Sequence, residues 1–428
     1  MGWSKAEEEE DEEDEAAAAA KRASYTILGT AADAAAVPAC VSEVVAPDAV
    51  AAALLGADAA VYHCWDSEAQ AEQAAWAAGM LLEAEATFAA PKVLVCVAPC
   101  LTWAKTKPAD PDDPELPLTE EDYRRRKAHA NYKVHIAAEK AIIKAGKQEG
   151  SKLATYVVNS GLPYGRGEGP LHWLFKTAWL LAEPKLPFFG PGQNVLPLIH
   201  VADLAQAVVN VLERQPEQKY VLAVDESQHT FEELATTISE RLGSGAVAQV
   251  SKADGLLLKG LSQADYDALS VNLRFEPTTI KEFRIDWTAQ AGPVEAFDTV
   301  AAEYLKARNL QPIRVCVLGP PAAGKSLLAQ RLARHYKLEY LHAQGLIDAN
   351  LARLQASAAL LTADRELEDD ARAQAEDDKQ RLDALQAERD ANNGRLADAT
   401  VIEWFQAALR SRACRNHGSE IINIYKFE

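Results

Sequence analysis

The stretch "VCVLGPPAAGKSLLAQRLARHYKL" from Val315 constrains the fold more than any other part of the chain. An apolar run precedes a glycine-rich turn, and an amphipathic helical pattern follows it. The turn is Gly319-Pro320-Pro321-Ala322-Ala323-Gly324-Lys325-Ser326, a full match to the spacing GxxxxGK[ST]. The spacing has a physical reason. Gly319 and Gly324 permit backbone angles that turn amide N–H groups inward, where they can cradle phosphate oxygens. The helix beginning near Ser326 adds the positive end of its dipole. Lys325 is placed to reach the β- and γ-phosphates, and Ser326 to hold magnesium. The motif therefore predicts ATP with magnesium, and it demands an α/β setting.

The rest of the chain supplies that setting. Strand-like and helix-like segments alternate from residue 23 onward, which argues for a doubly wound parallel sheet. "KVLVCVAP" is a continuous apolar run of the kind a central parallel strand shows. Ser67 is placed to cap the helix "EAQAEQAAWAAGMLLEAEA", Asp203 opens a helix after His200, and Thr230 with Glu233 forms a capping box. Residues 353–399 are rich in Ala, Asp, Glu, Arg and Gln. They read as a charged helical or low-complexity insertion and not as a clean heptad.

Charge and cysteine usage exclude several classes. With 428 residues and a formal net charge of −19, the chain lacks the basic face that nucleic acid or an anionic membrane requires. No run of 18 apolar residues occurs, so no membrane-spanning helix is expected. The six cysteines form no CxxC and no zinc spacing, so no protein-built metal cage is expected. Residues 1–22 form an acidic tail that ends in polyalanine. It is expected to be disordered and is a candidate arm for a basic partner.

Three resemblances extend this reading. "VLGPPAAGKS" and "LARHYKLEYLHAQGLI" resemble the opening of the adenylate kinase family. That family's AMP-holding segment would fall at Gln344-Gly345-Leu346, with Ala349 where an arginine is expected. "RACRNHG" resembles the lead into the family's next strand, and neither that strand nor the lid arginines are expected in this chain. The pieces "HIAAEKAIIKAG", "VVNSGLPYG", "FFGPGQNVLPLIHVADLA" and "YVLAVDESQHTFEELA" resemble the extended short-chain dehydrogenase/reductase family, whose fold is an NAD(P)-binding Rossmann sheet. Its Tyr-x-x-x-Lys pair does not carry over. His135 takes the lysine place and Asn131 the tyrosine place, Tyr132 and Lys133 are adjacent, and the expected serine falls near Ala98. A single His135 is more often packed than catalytic. The glycine fingerprint is missing, with Gly29 alone in "ILGTAAD", so NAD(P) binding is not expected.

The order of the two parts, with "TWAKTKPADPDDPELPLTEEDYRRRKAH" and "VNLRFE", resembles the long ciliary adenylate kinases. That resemblance implies the axoneme of a cilium or flagellum, its central apparatus, and axonemal partners met through the acidic tail and the charged helix. The expected organisation is a tail (1–22), a degenerate Rossmann-like domain without cofactor (23–311), the front portion of a P-loop kinase (312–352), the charged insertion (353–399), and a C-terminal helix with a truncated kinase segment (400–428). Three functions stay open. One is an axonemal structural or interaction protein that binds ATP. The second is an adenylate kinase completed by a partner or a longer product. The third is an NAD(P)-dependent reductase or epimerase. No residue stands out as catalytic.

Overall fold

The computed structural model describes residues 25–30, 37–65, 67–108, 110, 112–113, 115–148, 150–311, 313–320, 322–336, 338–361, 369–411, 414, 416 and 418–422. The acidic tail, Pro312, Pro321 and residues 362–368 of the charged stretch lie outside them.

In chain order, β1 (Ala59–His63) runs into α1 (Glu68–Ala84), which returns to β2 (Lys92–Pro99). A long loop leads to α2 (Lys133–Ala145) and β3 (Leu153–Ser160). Then come β4 (Leu162–Tyr164), α3 (His172–Trp179), β5 (Leu186–Phe189), β6 (Leu198–His200), α4 (Val201–Arg214) and β7 (Tyr220–Ala223). α5 (Phe231–Leu242), β8 (Val247–Val250), α6 (Gln263–Leu269) and α7 (Phe297–Ala307) follow. The last stretch holds β9 (Ile313–Val317), α8 (Lys325–Tyr336), β10 (Glu339–His342), α9 (Ala343–Leu360), α10 (Asp369–Ala391), α11 (Asp398–Leu409) and β11 (Gly418–Ile422).

These elements divide into two compact units that interleave along the chain. The first comprises Met1–Gly161, Ala202–Val224 and Leu273–Trp287, and the second comprises Leu162–Val201, Asp225–Asn272 and Thr288–Glu428.

The first unit is built on a parallel sheet in the order β1-β2-β3-β7. β2 and β3 are central, and nearly every side chain along them is buried. This matches the apolar run of β2, whereas the buried polar groups of β3 find main-chain partners, with Thr155 Oγ1 donating to the Ile142 carbonyl at 2.7 Å and Asn159 Nδ2 to the Pro99 carbonyl at 3.1 Å. α1 packs through Leu81 and through Ala71, Ala74, Ala77 and Ala78, small residues that let a helix lie close to its neighbours. Its Ser67 hydroxyl accepts from the Gln70 amide at 3.3 Å, the cap that the sequence predicts.

The second unit contains two parallel pairs, β4 with β6 and β5 with β8, and a three-stranded parallel sheet in the order β9-β11-β10. α5 opens with the predicted capping box, in which Thr230 Oγ1 accepts from the Glu233 amide at 3.2 Å and Glu233 Oε2 accepts from the Thr230 amide at 2.9 Å. α9, α10 and α11 share a small core of Leu354, Leu382, Leu385 and Trp404. The charged stretch is thus helical over Asp369–Ala391, with leucines spaced to meet that core.

One difference from the sequence reading concerns the C-terminal segment. The sequence predicts no further strand around "CRNHG", yet Gly418–Ile422 forms the middle strand of the three-stranded sheet, paired with both β9 and β10. The segment "GSEII" is too polar and too short to announce itself. Two open strand edges select it, because unpaired backbone groups between two strands are costly to leave unmatched.

Candidate functional site

The phosphate loop joins the C-terminal end of β9 to the N-terminus of α8. Ala322 and Gly324 both take left-handed backbone angles, with φ of 59° and 80°. Gly319 does not. A Cβ placed on it would meet the Lys325 side chain and the Ala323 Cβ at ordinary contact distances of 3.5 and 3.9 Å, so neither backbone angle nor space requires glycine there. Ala322 carries the cost that an L residue incurs in that region, and such strain concentrates at binding loops. Leu328 N–H donates to the Gly324 carbonyl at 3.0 Å, which closes the first turn of α8 directly behind the loop. α8 has no acidic residue in its first turn to oppose a bound anion.

Lys325 is half-buried, and its ammonium donates to the Gly319 and Pro320 carbonyls at 2.7 and 2.6 Å. The side chain therefore folds back across the loop. Ser326, on the first turn of α8, is exposed. The structure brings Gly319, Pro320, Ala322, Ala323, Gly324, Lys325 and Ser326 into one strand–turn–helix unit, and Pro321 lies outside the described residues. This set could hold a nucleotide triphosphate through amides, with the lysine as point charge and the serine hydroxyl toward magnesium.

Sequence reasoning misses one polar feature of the neighbouring strand. His342, which ends β10, caps α9 by accepting the Gly345 amide on Nδ1 at 2.7 Å. A Cβ on Gly345 would come within 2.0 Å of that imidazole, so the glycine is required by close approach. No local signal marks a histidine cap, because Ser, Thr, Asp and Asn dominate that position.

The positions that correspond to the reductase pair sit on α2 and the turn before it. Asn131 is exposed, whereas Tyr132 and His135 are buried with ring centroids 4.9 Å apart. Neither His135 ring nitrogen reaches a partner with hydrogen-bond geometry. Burial holds the imidazole below its usual pKa, opposed by the nearby Glu68 carboxylate and the Cys64 main chain. This is a packed neutral histidine with no tyrosine to serve. The larger polar construction, missed from sequence, lies beside it. Arg126 Nε donates to Glu139 Oε2 at 2.8 Å, and its Nη2 stands 2.6 Å from the same oxygen. Tyr220 donates to that carboxylate at 3.2 Å, and Trp103 Nε1 donates to the Tyr220 hydroxyl at 2.7 Å. Burial pushes the Glu139 carboxyl up, and Arg126 pulls it back. With the guanidinium 4.8 Å over the Tyr220 ring, the network is buried throughout, and Glu139 Oε1 is left without a hydrogen-bond partner among the described residues. It anchors α2 and presents no open face.

Residues 4–223 match the NAD dependent epimerase/dehydratase family, and the chain belongs to that family. Its particular likeness is to adenylate kinase 7. The protein of that name from Mus musculus is 43% identical over 366 residues, which are 84% of this chain and 59% of the relative. The one from Macaca fascicularis is 41% identical over 288 residues, 66% of this chain and 54% of the relative. The chain thus spans little more than half the length of these relatives. A solved dTDP-glucose 4,6-dehydratase from Bacillus anthracis is 15% identical and superimposes with a TM-score of 0.48, over 66% of this chain and 91% of that one.

The family's description implies a nicotinamide dinucleotide, and the residues present can be tested for it. The group needs a glycine turn that opens a helix at the end of a sheet strand. Among the described residues, the strand–turn–helix of this sheet is β1 to α1, and its turn carries Cys64, Trp65 and Ser67 with no glycine. Gly29 belongs to a separate two-stranded pair. The described residues do not form the cradle, which conflicts with the family's description.

Proposed function

We propose that the chain works as the long ciliary adenylate kinases do, as an axonemal component of the central apparatus with a structural or interaction role, which binds ATP and magnesium at residues 319–326. The observation that carries the nucleotide part is the strand–turn–helix itself, with Lys325 held across its mouth by two loop carbonyls. The likeness to adenylate kinase 7 supports the cellular setting. The acidic tail and the charged helix are its candidate contacts with axonemal partners. No helix among the described residues is long and apolar enough to cross a membrane.

Titration with ATP and magnesium, followed by calorimetry, tests the site. Lys325→Ala removes a charge-assisted contact worth about 1.5–3 kcal/mol, so affinity should fall roughly tenfold to a hundredfold. Equal affinity of the variant and the parent would remove the loop from nucleotide binding.

A second reading, transfer of phosphate from ATP to AMP, is favoured by β11, which gives the kinase-like sheet a central strand. AMP-dependent ADP formation that disappears in Lys325→Ala would establish it. A reductase or epimerase role rests on the family's description alone. Calorimetry with NAD+ and NADP+ is expected to show no binding heat, and saturable binding of either would restore that role.

A further inference from the structure

We propose that residues 165–169 form a pH-operated latch, closed while the Glu168 carboxyl is protonated and opened when it ionises. The segment is Gly-Arg-Gly-Glu-Gly, between β4 and α3. Five successive residues have positive φ, at 87°, 54°, 139°, 72° and 38° for Gly165, Arg166, Gly167, Glu168 and Gly169. Two of the five are not glycine, so the turn stores strain that its surroundings must hold in place.

Glu168 is completely buried. Its Oε2 accepts from the Gly165 amide at 3.3 Å, and its Oε1 has no partner. A neutral carboxyl tolerates such a place, but a carboxylate with one oxygen unmatched does not.

The titratable and charged groups on the elements packed around the turn are the following. From α7 and its end come Glu303, Tyr304 and Arg308. His200 on β6 bonds Glu303 Oε2 through Nε2 at 2.8 Å, and Arg166 within the loop stands 3.9 Å from Glu303 Oε1. α6, which packs on the turn after Glu168, brings Asp265, Tyr266 and Asp267, the last accepting from Gln263 at 2.7 Å. His172 begins α3 on the other side, and β4 brings Tyr164, bonded to Asp225 at 3.1 Å. Burial is the main reason that the Glu168 carboxyl is raised to about 7. The Gly165 amide opposes this, Glu303 adds to it, and Arg308 opposes it.

For an acid raised in the folded state, the native protein holds the proton more tightly than the unfolded chain. The closed loop is therefore favoured at low pH and weakens as pH rises through the ordinary carboxyl range toward 7. The strained backbone supplies the tendency to open once the buried charge forms. The movement has a route outward. Arg308 donates to the Gly167 carbonyl at 2.9 Å, and a few residues later the chain enters β9 and the phosphate loop.

Hydrogen exchange on the full chain, read on peptides spanning residues 165–171 and corrected for intrinsic pH dependence, tests the latch. Protection should fall at least tenfold between pH 5 and 7 and level off above about 7, where the carboxyl of the closed loop has itself ionised. In Glu168→Gln protection should stay level across that range. Level protection in the parent or an unchanged pH dependence in Glu168→Gln would overturn the proposal. Carbon-13 titration of labelled glutamate side chains in the parent gives a reading independent of any variant. One carboxyl that titrates near 7 is expected, and titration of all of them below about 5.5 would overturn the latch as well.

Discussion

Replacing Arg126 with alanine should destabilise the first unit by about 3–5 kcal/mol, because it leaves the Glu139 carboxylate buried with no countercharge. In a domain of this size that corresponds to a fall in Tm on the order of 10 °C, measurable by circular dichroism. The loss is not the worth of the ion pair, since much of the attraction between the two charges is cancelled by the cost of removing both from water. Two comparisons separate these contributions. The double variant Arg126→Met with Glu139→Leu removes both charges and should recover most of the stability. Acid should recover part of it in the single variant. Burial already raises the Glu139 carboxyl, and without Arg126 it is raised further. The native state then binds the proton more tightly than the unfolded chain, so stability is retained below the ordinary carboxyl range and falls as pH rises above it. The deficit of Arg126→Ala should be smaller at pH 5 than at pH 8. A loss under about 1 kcal/mol, independent of pH, would mean that water reaches Glu139 in place of the arginine.

What the sequence discloses and what it hides divide along a physical line. β2, the Ser67 cap, the Thr230–Glu233 box and the strand–turn–helix around Gly319–Ser326 are legible because each is decided by residues within a few positions of one another. The polar networks are not. Arg126 and Glu139 are 13 residues apart, and His200 and Glu303 are 103 apart. Each of these four reads alone as a surface group, since charged side chains are seldom buried unless a distant partner meets them. β11 is hidden for a related reason. Its place is set by the open edges of β9 and β10, which its own five residues do not reveal. Gly319 shows the converse, since a motif position can be filled by glycine without the turn using a positive φ there. At the candidate site the loop was legible, and the folded-back posture of Lys325 and the His342 cap were not, because both depend on atoms that only the folded backbone places.

Gly165→Ala should cost about 3 kcal/mol in the second unit, from two separable sources. The backbone at Gly165 has φ of 87°, where an L residue incurs about 1–2 kcal/mol. A Cβ there would also lie 2.1 Å from His200 Nε2, closer than any nonbonded contact permits. The imidazole has little room to retreat. It is wholly buried, its Nε2 is held 2.8 Å from Glu303, and the Tyr164 ring stands edge-on at 5.4 Å. Forced repacking of this kind typically costs another 1–3 kcal/mol. Gly394 provides the control within the same unit. Its φ is 83°, but nothing lies within 4 Å of the position of its Cβ. Gly394→Ala should therefore show the backbone cost alone, about 1–2 kcal/mol. Chemical denaturation of both variants measures the difference, which isolates the contact with His200. Equal losses would show that the imidazole moves aside without penalty, and the His200–Glu303 bond would then not be rigid enough to hold the left-handed turn of residues 165–169 in place.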